Sequence, residues 1–253
     1  MRVLLTRAAA ADDSTESELR SLGATVMTMP IVRIVPPADG SALASAVEHA
    51  GSYDWIAFTS VNGVEAFSRA RGAAETLRAG VTAEPLRARV AAVGDATARS
   101  VLRFLGREAD LVPNVFTAAA LGAALAERVR DGESVLIVQA ADARPDLARA
   151  LSHVAPPPHV VTAYATVSIA PPEIGAAVAD ADVVILASGS AARGLAEALA
   201  PTPADTLRDK VVACIGPVTA DEAQRNGIPV TIVARESTMP GIIAALVEHT
   251  ARS

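Results

Sequence analysis

The segment Asp54–Phe67, with the sequence DWIAFTSVNGVEAF, contains the pattern on which the fold is built. Four apolar residues predict a buried strand over Trp55–Phe58, and the polar turn that follows runs directly into a predicted helix. Hydroxyl and amide side chains in such a turn can cap the helix, and Gly63 would leave backbone amides open to a ligand. Because free N–H groups and the helix dipole favour an anion, the turn is a candidate carboxylate or phosphate site. A capped helix without a ligand would have the same pattern, so both interpretations stay open.

A second segment, Asp182–Leu195, has the same form: an aspartate, an apolar strand, a small polar turn and a helix. Other segments recur in the same order along the chain. These are Val3–Arg7 with Val135–Gln139, Val93–Ala98 with Ile215–Ala220, and the helix-opening threonines Thr117 and Thr238. Aligned units in one order predict an internal duplication.

Composition narrows the class of protein. A chain of 253 residues with 51% hydrophobic content can form one large α/β domain or two of about 120 residues. No apolar run reaches the roughly 18 residues of a membrane helix, and the start of the chain reads as a strand, so we expect a cytoplasmic protein with no membrane partner. The single cysteine, Cys214, lies in an apolar run and is expected in the core. A net charge of −6 argues against nucleic acid as a partner, and we expect a monomer.

Predicted strands alternate with predicted helices along the whole chain. Continuous Val, Ile and Leu strands between helices indicate parallel sheets that are covered on both faces. Two extended connectors, Pro30–Pro37 and Tyr164–Pro172, each follow the second strand of a repeat. That position suits two chain crossings between two domains, with a cleft where the domains face each other.

Four strand-to-helix turns carry the candidate binding residues, because ligands of open parallel sheets bind beyond the carboxyl ends of the strands. They are Thr59, Ser60, Asn62, Gly63 and Thr97 in one half, and Ser188, Gly189, Ser190, Gly216 and Thr219 in the other. Together they predict a ligand with several acidic groups. For each of Thr97 and Thr219, local packing in a capped helix explains the pattern equally well. Because the chain is acidic overall, Arg7 and Arg144 are expected to make the site locally positive.

The combined pattern resembles the uroporphyrinogen-III synthase family. The resemblance covers nearly the whole chain and rests on the Thr-Arg end of the first strand, Phe58–Val64, Val93–Ala98, Arg144-x-x-Leu147, Tyr164 and Ile215–Ala220. It implies two flavodoxin-like α/β domains joined by a two-stranded linker. One domain is discontinuous, from residues 1–33 plus 169–253; the other is contiguous, from 38–163; the linkers are 34–37 and 164–168. The sequence departs from the family pattern at two places: Gln139-Ala140 replaces a common Arg-Gly pair, and Leu186-Ala187-Ser188 replaces Phe-Thr-Ser. Both departures affect individual substrate contacts that the resemblance would imply.

The resemblance also implies an activity. It is the cofactor-free and metal-free closure of hydroxymethylbilane, a linear tetrapyrrole with eight carboxylates, to uroporphyrinogen III with loss of water. The turns contain no paired carboxylates, histidine cluster or metal-ligand spacing, which suits a reaction that depends on positioning. Tyr164 is the candidate catalytic residue, because a phenol beside the second connector can donate a proton to the departing oxygen. The alternative role for its ring is a packing plug at the hinge.

A non-catalytic interpretation competes with the enzyme. The same two-domain scaffold could serve as a sensor that binds an acidic small molecule. A dinucleotide enzyme is disfavoured, because Thr6-Arg7-Ala8-Ala9 follows the first strand where a Gly-x-Gly-x-x-Gly motif would stand.

Overall fold

The computed structural model describes residues 1–7, 14–77, 86–154, 156–169 and 171–251. The chain divides into two compact units. We call Met1–Arg33 with Val167–Ser253 the terminal unit, and Ile34–Thr166 the central unit. The sequence predicts a helix that starts at Asp12 and a polar segment up to Arg87; the start of that helix and most of that segment lie outside the described residues.

Strands and helices alternate along most of the described chain. The strands are β1 (Arg2–Leu5), β2 (Thr25–Thr28), β3 (Val32–Val35), β4 (Trp55–Phe58), β5 (Arg89–Ala92), β6 (Val135–Ala140), β7 (His159–Ser168), β8 (Val183–Leu186), β9 (Val211–Cys214) and β10 (Ile232–Val233). The helices are α1 (Thr15–Ser21), α2 (Ser41–Glu48), α3 (Val61–Leu77), α4 (Asp95–Leu105), α5 (Ala118–Ala126), α6 (Asp146–Ala150), α7 (Ile174–Asp180), α8 (Gly189–Ala198), α9 (Pro203–Thr206), α10 (Pro217–Arg225) and α11 (Met239–Thr250).

The terminal unit is built on a sheet with the strand order β2-β1-β8-β9-β10. All four pairings are parallel, and Val3 lies opposite both Val26 and Val183. Each face carries its own buried cluster: Leu4 and Val184 belong to one, and Val3 and Ile185 belong to the other. A sheet buried on both faces needs continuous apolar strands, which explains the Val-Val-Ile-Leu run of β8.

The central unit has the strand order β3-β7-β6-β4-β5. The pairings of β4 with β5 and β6, and of β6 with β7, are parallel, and the two sheet faces again carry separate buried clusters. The predicted strand over residues 109–112 is reduced to one parallel bridge, from Leu111 to Ala91. Pro113 follows and has no N–H with which to continue a ladder.

The aspartate before each repeated strand ties that strand to its neighbour. Asp54 Oδ2 accepts a hydrogen bond from the Ser134 N–H at 2.8 Å, and Asp182 Oδ2 accepts one from the Arg2 N–H at 2.7 Å. Hydrogen bonds with these backbone amides lower the pKa of both carboxyls. Both aspartates thus help to fix the start of a β-ladder.

The described residues can be compared with the expectations for membrane helices, metal-binding clusters and Cys214. No helix there is long and apolar enough to cross a membrane, and no group of three or more His, Cys, Asp or Glu side chains could hold a metal ion. Cys214 is fully buried, and its burial raises the pKa of the thiol to about 12. The prediction that Cys214 is a core residue is therefore confirmed.

Candidate functional site

Tyr164, inside β7, meets Ser60, just after the carboxyl end of β4, in the central unit. The Tyr164 hydroxyl donates to Ser60 Oγ at 2.9 Å, and the same oxygen accepts the Gly63 N–H at 3.1 Å. Tyr164 is 8% exposed and belongs to a buried cluster of the central unit. The ring therefore packs in the core while its hydroxyl reaches the turn, so the packing and hydrogen-bonding roles coexist.

A β-bulge sets the position of Tyr164. Gln139 lies opposite Thr162, but the next residue, Ala140, lies opposite Tyr164, so the register shifts by one. The Tyr164 carbonyl then accepts the Ala141 N–H at 2.9 Å. Such bulges re-aim a side chain, and this one directs Tyr164 to the end of the sheet. β7 continues to Ser168, so Tyr164 lies inside a strand.

The electrostatic surroundings keep the phenol protonated. Burial is the largest influence and raises the pKa of Tyr164, and the nearby Asp142 carboxylate acts in the same direction. Hydrogen bonds with Ser60 and Asn62 oppose this shift without reversing it. Tyr164 is consequently a neutral hydrogen-bond donor at neutral pH.

Contrary to the sequence prediction, Gly63 does not leave a backbone amide open to a ligand. It is buried, and its N–H is already bonded to Ser60, so its amide is not open to a ligand. A Cβ at this position would lie 3.3 Å from Ser60 Oγ and 3.5 Å from the Val138 carbonyl oxygen. The glycine therefore allows α3 to pack closely against the end of β6.

The other predicted residues of this turn lie on the same edge of the central sheet. Thr59 follows β4, and its Oγ1 is 3.5 Å from the Val138 carbonyl oxygen, at the limit of a hydrogen bond. Asn62 is half-buried in the first turn of α3, next to the Tyr164 hydroxyl. Arg144 is exposed in the segment that follows β6.

The two Gly-x-x-Thr segments begin α4 and α10, with the glycine before each helix and the threonine in its first turn. Thr97 is 3% exposed and Thr219 is 5% exposed, so both hydroxyls point into the interior, as local packing predicts. Gly94 and Gly216 are extended and buried, and each lies under a side chain of the segment that precedes α5 or α11. Phe116 covers Gly94, and Ser237 covers Gly216.

The terminal unit presents a capped helix start at the carboxyl end of β8. Ser188 Oγ accepts the Ala191 N–H at 3.1 Å, and the half-buried Gly189 and Ser190 form the first turn of α8. Arg193 lies one turn further on, with its guanidinium 3.4 Å from Ser190 Oγ and 3.0 Å from Glu222 Oε1. This ion pair could not be predicted from local sequence, because Glu222 comes from another helix.

Arg7 directly follows Thr6 at the carboxyl end of β1. Its side chain is half-buried, and Nη2 donates to Thr15 Oγ1 at 3.3 Å. The predicted residues thus form one group within each unit. Tyr164, Ser60, Gly63, Asn62 and Thr59 gather in the central unit, and Ser188, Gly189 and Ser190 gather in the terminal unit.

Comparisons with known proteins agree with this architecture. A porphyrin biosynthesis protein HemD of Ruminiclostridium josui is 28% identical over 251 residues, which are 98% of this chain and 48% of that protein. A uroporphyrinogen-III synthase of Synechococcus elongatus is 33% identical over 119 residues, 47% of this chain and 43% of that protein. The chain thus spans about half the length of the R. josui relative.

A crystal structure of a mutant uroporphyrinogen III synthase of Thermus thermophilus has the same fold. Its TM-score is 0.68 at 18% identity, with 100% of both chains covered. The family model described as uroporphyrinogen-III synthase HemD matches residues 13–244, which is most of the chain. This protein therefore belongs to the uroporphyrinogen-III synthase HemD family.

Proposed function

We propose that this protein is a uroporphyrinogen-III synthase, a lyase that closes hydroxymethylbilane to uroporphyrinogen III. It would release one water, invert the fourth ring and use no cofactor. Family membership supports the reaction class, and the hydrogen bond between Tyr164 and Ser60 supports a proton-donating role for this edge of the central unit.

In the proposed first step, the hydroxyl of the hydroxymethyl group leaves as water, and its carbon stays on the substrate. Ser60 Oγ accepts two hydrogen bonds, from Tyr164 and from the Gly63 N–H, so its own proton is directed away from both donors. Ser60 would give this proton to the hydroxymethyl oxygen, and Tyr164 would replace it. The C–O bond breaks, its electron pair leaves with water, and the substrate becomes a stabilised azafulvene cation.

The ring closure itself would depend on the folded shape of the substrate. The substituted carbon of the fourth ring supplies an electron pair to the azafulvene carbon and forms a spiro intermediate. That intermediate fragments and closes again with the fourth ring inverted. Loss of a proton then restores the pyrrole and returns the proton to Tyr164. In this mechanism, holding the reacting carbons together would lower the activation barrier more than strong acids or bases would.

Neutral donors and a few arginines would bind the carboxylates. Ser188, Gly189 and Ser190 form a capped helix start, which favours an anion. Arg7 stands at the carboxyl end of β1 in the same unit, and Arg144 is exposed in the central unit. With a net charge of −6, the protein needs such local positive groups to attract an acidic substrate.

We also infer that the two units are copies of one flavodoxin-like unit. When the five strands of the terminal unit are numbered by their sequence along the chain, they lie across the sheet in the order 2-1-3-4-5. This is the flavodoxin order. In the central unit, β6, β7, β4, β5 and the Leu111 bridge would be the equivalents of β1, β2, β8, β9 and β10.

Registers and caps support this equivalence. Trp55 lies opposite Val135 and Arg89, and Val183 lies opposite Val3 and Val211, so the alignment of the repeats holds across three strands. Thr117 and Thr238 cap equivalent helices, with bonds of 3.1 Å from the Ala120 N–H and 3.0 Å from the Gly241 N–H.

One experiment tests the proposed activity. Purified protein is mixed with freshly made hydroxymethylbilane, and the type III and type I products are separated after oxidation. A synthase gives mainly type III, because spontaneous closure does not invert the fourth ring. Production of type I at the rate of the protein-free control would refute the proposal and leave a non-catalytic binder.

A further inference from the structure

Phe116 is an exposed aromatic residue at the carboxyl edge of the central sheet. Two of the four phenylalanines, Phe58 and Phe67, are fully buried, whereas Phe116 is 41% exposed. It follows the parallel bridge between Leu111 and Ala91, so the chain reaches Phe116 at the edge where β4 and β5 end. That edge also carries the hydroxyls of Ser60 and Tyr164.

The ring of Phe116 rests against the backbone of Gly94, and the chain that carries it is fixed by hydrogen bonds of its neighbours. A Cβ on Gly94 would lie 2.8 Å from Phe116 Cγ, so the ring rests on a glycine that leaves it just enough room. Next in the chain, Thr117 caps α5, and its N–H donates to the Val115 carbonyl at 2.8 Å. An exposed aromatic side chain with a fixed position is already organised for a ligand, because binding costs it little conformational entropy.

The neighbouring turn is a poor carboxylate site. Asp95 is exposed in the first turn of α4, where its own carboxylate complements the helix dipole. A second carboxylate from a ligand would be repelled there. Phe116 and the adjacent Val115, which is 62% exposed, instead offer an apolar surface. This part of the edge therefore suits an uncharged ring face, although the Gly-x-x-Thr pattern predicts an anion turn.

The terminal unit has no such ring at the corresponding glycine. Ser237 lies over Gly216, where Phe116 lies over Gly94. An aromatic contact at this position would therefore be made by the central unit alone. Such a one-sided contact can distinguish one ring of a tetrapyrrole from the others.

We propose that Phe116 is a substrate-positioning residue whose ring packs against one pyrrole face of the tetrapyrrole. This inference rests on the proposed synthase function. Pyrroles are flat and aromatic, and a fixed phenyl ring favours stacked or edge-to-face contact with them. Because the contact involves a ring face and not the departing oxygen, Phe116 acts on binding and not on proton transfer.

The test compares Phe116→Ala and Phe116→Trp with the wild-type protein. Phe104→Ala is the matched control, because Phe104 is also in the central unit and 37% exposed, but it lies at the far end of α4. For each protein, kcat and KM for hydroxymethylbilane are measured, together with binding of uroporphyrin III as a stable probe from its fluorescence anisotropy. Thermal unfolding establishes that each variant is folded.

Phe116→Ala is expected to raise KM, and to weaken uroporphyrin III binding, by about five- to tenfold with kcat within about twofold. Phe116→Trp should bind like the wild type, and Phe104→Ala should change nothing. Wild-type KM and probe affinity in folded Phe116→Ala would overturn this inference while the synthase activity stands. A wild-type protein that makes no type III product would overturn the proposed function, and this inference with it.

Discussion

The hydroxyls of Tyr164 and Ser60 form a hydrogen-bonded pair with an O···O distance of 2.9 Å. Ser60 also accepts the Gly63 N–H at 3.1 Å, so both acceptor positions of its oxygen are in use. The proton of Ser60 is then directed away from both donors. In the mechanism that we propose, the pair would work as a short proton relay, in which neither residue is the sole acid.

The first prediction concerns this relay. Tyr164→Phe keeps the ring in its buried position and removes only the donor, so the fold should survive. General acid assistance is worth about 10²- to 10⁴-fold, and we expect turnover to fall by about 10²-fold, because water can replace the lost donor. The residual product should remain type III. Single-turnover rates and the isomer ratio measure both effects.

Ser60→Ala serves as the control for that variant. It removes the hydroxyl that would face the substrate in the proposed mechanism, so binding should weaken by about 1 kcal/mol. It also leaves the Gly63 N–H without its partner. Wild-type turnover in Tyr164→Phe would reduce Tyr164 to a packing residue. A change to type I product would mean that Tyr164 controls the orientation of the fourth ring.

A second prediction follows from the burial of Gly63. Gly63→Val places a branched side chain against Ser60 and Val138, and should lower the free energy of unfolding by about 1–3 kcal/mol. Gly72→Val is the matched control, because Gly72 lies in the same helix and a Cβ there meets nothing within 4 Å. Urea unfolding of both variants gives the difference. Equal stabilities would show that Gly63 does not pack tightly against β6.

Local sequence predicts the strands and caps of this fold well. Apolar runs such as Val183–Leu186 are buried on both faces, and Thr117 and Thr238 cap helices, because these features depend on neighbouring residues. Asp54 and Asp182 stand out in the sequence because each precedes a similar apolar run, but their role as partners of a neighbouring strand needs the sheet register.

Several features of the candidate site depend on packing between distant segments and could not be predicted from local sequence. The bulge that sets Tyr164 depends on how β7 pairs with β6, and no local pattern in β7 encodes it. The local sequence around Gly63 predicts an open turn, but Val138 of a neighbouring strand packs beside it. The contact of Gly94 with Phe116 and the ion pair of Arg193 with Glu222 also join residues that are distant in the sequence. The predicted cleft between two domains stays a prediction.

The third prediction concerns pH and the two aspartates that start the β-ladders. Their pKa values are lowered in the folded state from an ordinary value of 3.8. Their stabilisation is therefore complete above the unfolded pKa and is lost as the pH falls through the lower folded value. Asp54→Asn and Asp182→Asn should each lower Tm at pH 7 and flatten its decline below about pH 4. Melting curves from about pH 2 to 7 test this; an unchanged acid slope in both variants would contradict it.

The fourth prediction concerns alkaline pH and Cys214. Burial raises the pKa of its thiol from 9.0 to about 12, so the unfolded chain loses the proton first. The stabilisation is complete below the unfolded pKa of 9.0 and is lost as the pH rises from there towards about 12. Relative to Cys214→Ala, the wild type should lose more stability over this range. In the native state the thiol should also resist a disulfide reagent until urea unfolds the protein; rapid native labelling would show that Cys214 is accessible.

The last prediction concerns the contact between Gly94 and Phe116. Gly94→Ala would place Cβ 2.8 Å from Phe116 Cγ, so the ring must move, and we expect a loss of about 1–3 kcal/mol of stability. Gly40→Ala is the matched control, since Gly40 also precedes a helix of the central unit and its Cβ would meet nothing within 4 Å. In a Phe116→Ala background the cost of Gly94→Ala should be smaller, because the ring atoms are gone and only the Cβ of residue 116, 3.1 Å away, remains close. A double-mutant cycle measured by urea unfolding should therefore give a coupling of about 1 kcal/mol or more between the two sites. Strictly additive effects would mean that the ring can turn away at no cost, and that Phe116 is not held in a fixed position.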